Sequence, residues 1–155
     1  MADVTTSTMS MWGGGQPHDV ATGAVLDAIC ARAREGSGLS DDMLAILHVL
    51  FHKTLVSALD LVDHATVLRI RAESGPRTFV KVQSTSKNVY HIFGGYCSCQ
   101  SFAHKAVRSA ELPLCKHILA ARLAEAQGCL KEQTLDDHAW GLELLRGCGE
   151  GIVDS

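Results

Sequence analysis

The sequence predicts an α+β fold: N-terminal helices, a small antiparallel β-sheet, then a cysteine- and histidine-bearing finger and a C-terminal helix. Three observations carry that prediction. Apolar residues recur at helical spacing from Thr22 to Val62. After His64 the pattern changes to strict alternation, the signature of strands with two different faces. Two tight pairs, Cys97 with Cys99 and Cys115 with His117, then bracket a gap of fifteen residues.

The elements follow in chain order. Residues 1–20 are small, polar and glycine-rich, with "GGG" at 13–15, and bury too little to order a backbone; they read as a disordered tail. A helical segment fills 21–64. Its first helix carries Val25, Leu26, Ile29 and Ala33 on one face and stops at "GSG" over 36–38. Ser40 is a good N-cap for the second, Asp41 and Asp42 suit the positive end of the helix dipole, and Met43, Leu44, Leu47, Leu50 and Phe51 form its apolar face. Leu55, Ala58, Leu59 and Val62 continue that face or pack beside it.

Residues 65–130 hold the sheet and the finger, the latter over about 86–124. "TVLRIRA" and "RTFVKVQ" alternate on either side of the turn "SGP", which predicts two antiparallel strands with Arg69 and Arg71 on one face. "NVYHIF" is a third strand, and Gly94 and Gly95 turn it towards the cysteines. Phe102, Ala103, Ala106 and Val107 fit a short helix, and "CKHILAARLAEA" a longer one with Pro113 just ahead of it. The remainder, 131–155, is expected to be a C-terminal helix and tail, with Thr134 as N-cap and Leu135, Leu142 and Leu145 as contacts, weakened by Gly141.

Composition limits the function classes. No apolar run approaches the roughly 20 residues of a membrane span, and the N-terminus has no basic-then-apolar leader, which points to an intracellular chain. In that setting six cysteines argue for metal more than for disulfides. The formal charge of −3 is unevenly placed. Residues 1–64 carry three basic and eight acidic side chains and 123–155 carry two and seven, whereas 65–122 carry nine basic residues against Glu73 and Glu111. A basic middle between acidic ends is either the footprint of a polyanion-binding face or a set of solvated faces that the acidic ends fold back to neutralise. On the first reading Arg69, Arg71, Lys81 and Lys87 track phosphates while Tyr90 or Phe93 stacks a base, as in single-strand binders.

Cys97, Cys99, Cys115 and His117 are a zinc-ligand set. Zinc takes four sulfur or imidazole ligands at tetrahedral corners, and a CxC turn presents both sulfurs when the intervening residue is small or points outward, as Ser98 can. The second pair begins a helix, whose free N–H groups donate to thiolate. Four protein ligands leave no position for water or substrate, so the ion is structural and single. The alternative is two buried cysteine pairs packing as small apolar residues. His104 is a weaker substitute ligand. His48 and His52 lack the glutamate of HExxH, Asp60 and Asp63 have neither nucleophile nor phosphate loop beside them, and Cys30, Cys129 and Cys148 have no paired spacing. Without an open metal site, a nucleophile–base pair or a GxxxxGK[ST] loop, the chain reads as a non-enzyme.

"YCSCQSF" followed by "LCKHILAARLAEA" resembles the SWIM-type zinc finger. With "SALDLVD" at 57–63, the strand pair behind it and "STSK" at 84–87, the chain resembles the zinc finger SWIM domain-containing protein 7 family, the SWIM subunit of the Shu complex, over roughly Met43 to Glu125. Gln100 stands where that family commonly has proline. The resemblance implies zinc on Cys97, Cys99, Cys115 and His117. It also implies a nuclear role in homologous recombination and DNA repair, as the heterodimeric partner of a RecA-like recombinase paralogue that supports recombinase filaments on single-stranded DNA. SWIM fingers also occur in ubiquitin-related and transposase-like proteins, so a zinc-stabilised interaction adaptor without DNA contact is the second reading. The apolar faces of the first two helices are the expected partner surface.

Overall fold

The computed structural model describes residues 17–108 and 114–149. Its elements are α1 (Pro17–Glu35), α2 (Asp41–Phe51), α3 (Lys53–His64), β1 (Thr66–Ala72), β2 (Thr78–Gln83), β3 (Val89–Phe93), β4 (Tyr96–Cys97), α4 (Gln100–Arg108), α5 (Lys116–Ala126), β5 (Lys131–Leu135) and α6 (Asp137–Gly149). Helix α1 begins at Pro17, inside the stretch expected to be a tail; residues 1–16 and Pro113 lie outside the described residues. Ser40 caps α2, its side chain accepting from the Met43 N–H at 3.3 Å. A single residue, His52 with φ 45°, separates α2 from α3.

The sheet runs β4-β3-β2-β1-β5. The first four strands are antiparallel to their neighbours, as the alternation predicts, whereas β5 joins β1 in parallel, Arg69 opposite Glu132 and Arg71 opposite Thr134. This fifth strand corrects the expectation of a helix from Thr134. "KEQTL" has no apolar alternation because it is an edge strand whose first four side chains are exposed, and charge at an edge discourages further pairing. Asp136 takes the capping role instead: its Oδ1 accepts from the Ala139 N–H at 2.9 Å and starts α6.

Alternation sends the two sides of the sheet to different helices. Val67, Val80, Val82 and Ile92 face α5, where they meet Ile118, Ala121 and Ala124. Ile70, Ala72 and Phe79 face the other way and pack with Trp140 of α6. Helix α5 is the central pillar, buried from His117 to Ala124. Its small alanines let the sheet approach on one side, while Leu119 and Leu123 join Leu26, Ile29, Leu47, Leu55 and Ala58 of α1, α2 and α3 on the other. Buried Arg122 ties α5 to α1 through Asp27. A polar group so placed is kept only with a partner. No helix among the described residues is long and apolar enough to cross a membrane.

Candidate metal centre

The two ligand pairs arrive from opposite ends of the same hydrophobic layer. Cys97 ends β4 opposite Ile92, so its sulfur points towards α5. Gly94, with φ 55°, makes the sharp β3–β4 turn that places it there, a conformation glycine adopts without penalty. Ser98 then locks the CxC turn to β3: its N–H donates to the His91 carbonyl at 3.0 Å and its Oγ accepts from the His91 N–H at 3.0 Å. The two cysteines that flank the gap, Cys99 and Cys115, sit ahead of helices. Cys99 Sγ accepts from the Phe102 N–H at 3.3 Å at the start of α4, and Cys115, the N-cap of α5, accepts from the Ile118 N–H at 3.5 Å. These donors temper the negative charge of a three-sulfur site. The two helix starts are what the sequence could partly indicate; Ser98's hold on β3 appears only in the fold.

The ligand atoms of Cys97, Cys99, Cys115 and His117 lie within 4.8 Å of one another, and all four residues are buried. A zinc tetrahedron with Zn–S about 2.3 Å and Zn–N about 2.0 to 2.1 Å has edges of roughly 3.5 to 4 Å, so a small contraction closes the set on one ion. The Nδ1 of His117 is buried with no hydrogen-bond partner in the protein, as expected of a ring oriented for metal. Tyr90 fixes that ring from the side, stacked at 3.9 Å between centroids and 26° between planes. Tyr90 is therefore engaged with His117 and not an open base platform, while Phe93 packs on Phe79 and Tyr96.

The thiols respond to one another strongly. Cys99 accepts hydrogen bonds from the Cys115 and Cys97 thiols, which hold it far below the ordinary thiol range. Cys97, hydrogen-bonded to Cys115 and Cys99 and buried, is pushed far above it. The Cys97 hydrogen bond draws Cys115 down, but its bond to Cys99 and its burial prevail and push it up to about 11. Three buried thiols so close together resist carrying more than one negative charge among them, and a divalent cation is the group that displaces the remaining protons. The donor set, its burial and the orphaned imidazole nitrogen fit one zinc ion. With four protein ligands the site is closed, and the ion's role there is to tie β4, α4 and α5 together.

The other residues singled out in the sequence fall elsewhere. His104 is exposed on α4 and outside the cluster. His48 and His52 meet edge to face at 6.2 Å, and Asp60 pairs with His64 at 3.1 Å. Cys30 is a core thiol pushed up to about 11 by burial, while Cys129 and Cys148 are exposed.

The four basic residues do not form one face. Arg69 and Arg71 lie on the α5 side of the sheet, Lys81 lies on the α6 side, and Lys87, with φ 65°, is in the β2–β3 turn. Arg69 reaches Glu125 at 2.5 Å and Glu132 at 3.2 Å, Arg71 reaches Glu132 at 3.7 Å, and Lys81 reaches Glu143 at 2.6 Å. The acidic C-terminal end has folded back on the basic middle. Glu143 also accepts from buried His91 at 3.2 Å. Burial would raise the Glu143 carboxyl, but the Lys81 and His91 hydrogen bonds outweigh it and hold it below the usual range.

Comparison with known proteins agrees with this geometry. The SWIM zinc finger family model matches residues 79–124, from β2 to the last turn of α5. Zinc finger SWIM domain-containing protein 7 of Homo sapiens is 32% identical over 114 residues, which span 73% of this chain and 81% of that protein. Its counterpart in Danio rerio is 37% identical over 103 residues, 64% of this chain and 73% of that protein. The homolog in Dictyostelium discoideum is 28% identical over 109 residues, 69% and 70% of the two chains. No solved structure matches.

Proposed function

The chain belongs to the zinc finger SWIM domain-containing protein 7 family, and on that premise we propose that it is a non-enzymatic mediator of homologous recombination and DNA repair in the nucleus. In this role it pairs with a RecA-like recombinase paralogue and supports recombinase filaments on single-stranded DNA. The observation that carries the reading is the extent of the family likeness: it covers nearly three quarters of the chain, helices and sheet included, and not the finger alone. The closed zinc site supports it by making the finger a scaffold rather than a reaction centre.

The apolar faces of α1 and α2 expected to dock a partner are buried in the core through Leu26, Ile29, Leu47 and Phe51, so partner docking falls to the outer side of the helical layer. Ile46 and Val49 lie one turn apart on α2, 48% and 70% exposed, and Val56 on α3 is 60% exposed. Such side chains in one small helical layer suit a partner surface. On the sheet, Arg69, Arg71 and Lys81 are engaged by carboxylates and fasten the strands to the C-terminal elements, while Lys87 is exposed at the turn.

Co-expression with a RecA-like paralogue tests the reading: a stable complex in the wild type, lost on Ile46→Glu with Val49→Glu while zinc is retained, is the expected result. Failure of any RecA-like paralogue to co-purify with the zinc-loaded chain overturns it. The ion pairing of the sheet's basic residues favours the second reading, an interaction adaptor without DNA contact. That adaptor would bind partner protein normally and no oligonucleotide even at low salt.

A further inference from the structure

A cleft of 220 Å³ opens beside the metal centre where the N-terminal ends of α3, α4 and α5 converge. It is lined by Lys53, Thr54 and Ser57 of α3, by Ser101 of α4 and by Lys116 of α5, with Cys99, Cys115 and His117 as its floor. We propose that this cleft is a phosphate-binding site. On the recombination reading above, on which this assignment of its source rests, the phosphate is a phosphodiester of single-stranded DNA.

The lining favours that chemistry over others. Away from the metal ligands it offers two ammonium groups and three hydroxyls, with no carboxylate and no aliphatic or aromatic residue in the lining. Small-molecule pockets are mostly apolar and occupy about 300–1,000 Å³, so a compact, strongly hydrated anion fits this cleft better. The charges also balance. A zinc ion on three thiolates and a neutral imidazole carries one negative charge, and Lys53 and Lys116 supply two positive ones. One net positive charge remains, matching the single negative charge of a phosphodiester.

Two further features set the cleft apart. Among the described residues neither Lys53 nor Lys116 meets a carboxylate within ion-pair distance, unlike Arg69, Arg71, Arg77 and Lys81. His52 gives α3 no side-chain cap; the Leu55 N–H donates to the His52 carbonyl at 3.1 Å, and the N–H groups of Lys53 and Thr54 open the helix beside the Thr54 and Ser57 hydroxyls. A phosphate held this way leaves its bases outside, so the contact fixes the position of a strand and carries no sequence preference.

The experiment compares the zinc-loaded full chain with the Lys53→Gln/Lys116→Gln double variant, with equal bound zinc as the check on folding, and with Arg71→Gln as a second basic variant. Inorganic phosphate is titrated while the amide resonances of Lys53, Thr54, Ser101 and Lys116 are followed, and binding of a dT oligonucleotide is measured across a salt series. Saturable shifts of those four amides, abolished in the double variant and kept in Arg71→Gln, are expected. So is a fall in oligonucleotide affinity on the order of tenfold, with the salt slope flattened by about 1.4 for two lost contacts on a single strand. Phosphate shifts that are absent, or unchanged in the double variant, overturn the site, and oligonucleotide binding that persists would then leave the recombination reading standing on other residues. Phosphate shifts centred on the cleft without oligonucleotide binding uphold the site and sink the DNA source instead.

Discussion

The basic residues of the sheet and those of the cleft beside the finger have the same chemistry and opposite circumstances. Arg69, Arg71, Arg77 and Lys81 sit in or next to strands, and each meets a carboxylate from the C-terminal third of the chain. Lys53 and Lys116 sit at helix starts where the lining holds only hydroxyls and metal ligands. The difference teaches that an excess of basic residues along a sequence measures potential, while availability depends on what folds back. On the sheet the ion pairs act mainly as tertiary links that fasten β5 and α6 to the antiparallel strands.

The largest effect should come from removing zinc. Structural zinc contributes about 10–16 kcal/mol in finger peptides, comparable with the whole stability of a domain, about 5–15 kcal/mol. Chelation or Cys115→Ala should therefore abolish bound zinc and cooperative unfolding. The cleft, floored by Cys99, Cys115 and His117, should lose phosphate binding with it. Elemental analysis and near-UV circular dichroism check this, and a native-like unfolding transition without zinc would show that the two regions are not separated by the metal. Because Cys97 and Cys115 must shed protons to bind, zinc affinity should fall as pH falls, measured by competition with a chelator.

Next in size is Glu143→Ala, which leaves half-buried Lys81 and buried His91 without their carboxylate. Breaking a fully buried pair costs about 3–5 kcal/mol; with Lys81 partly exposed, about 2–3 kcal/mol is expected, read by urea unfolding. The Glu143 carboxyl is held below its usual range, so its contribution is present at neutral pH and lost as pH falls through that lowered value. Glu143→Gln should lack that acid limb. Phosphate binding at the cleft should be unchanged in both variants.

A pair of glycine substitutions in α6 sharpens the sheet side further. A Cβ on Gly147 would lie 2.4 Å from His91 Cγ and 2.5 Å from its Cβ, so Gly147→Ala should destabilise by about 1–3 kcal/mol. Gly141 has open space, and Gly141→Ala should stabilise by about 0.5–1 kcal/mol. Equal effects of the two in thermal unfolding would mean that α6 does not press on His91. Smallest of all, Arg71→Gln should change oligonucleotide affinity by less than about twofold, because an exposed ion pair with Glu132 is worth about 0–1 kcal/mol and already occupies the guanidinium. A tenfold loss would return the binding face to the sheet.

Much of this was legible in one dimension. The helical faces through Leu26, Leu47 and Leu55, the alternation of "TVLRIRA" and the Ser40 cap are local, and the structure keeps them. The ligand set was legible too, because a CxC turn and a CxH helix start each bring their two side chains together by backbone geometry alone. Strand β5 was not, since "KEQTL" is an exposed edge recruited by β1 from across the chain and its own residues show no alternation. Nor was the second life of Tyr90 as the ring that stacks His117, since Tyr90 and His117 belong to different elements.

The sequence by itself determined the α+β class, the helices from α2 to α5 and the first three strands, and the four residues that fit one zinc ion, because each rests on periodicity or on neighbours a few positions apart. Only the tertiary structure decided which charges are free. Arg69 finds Glu125 56 residues away and Lys81 finds Glu143 62 residues away, and Lys53 and Lys116 share one cleft because α3 packs against α5. Electrostatic pairing acts over ångströms in space and is blind to distance along the chain, so it became readable when the layers closed.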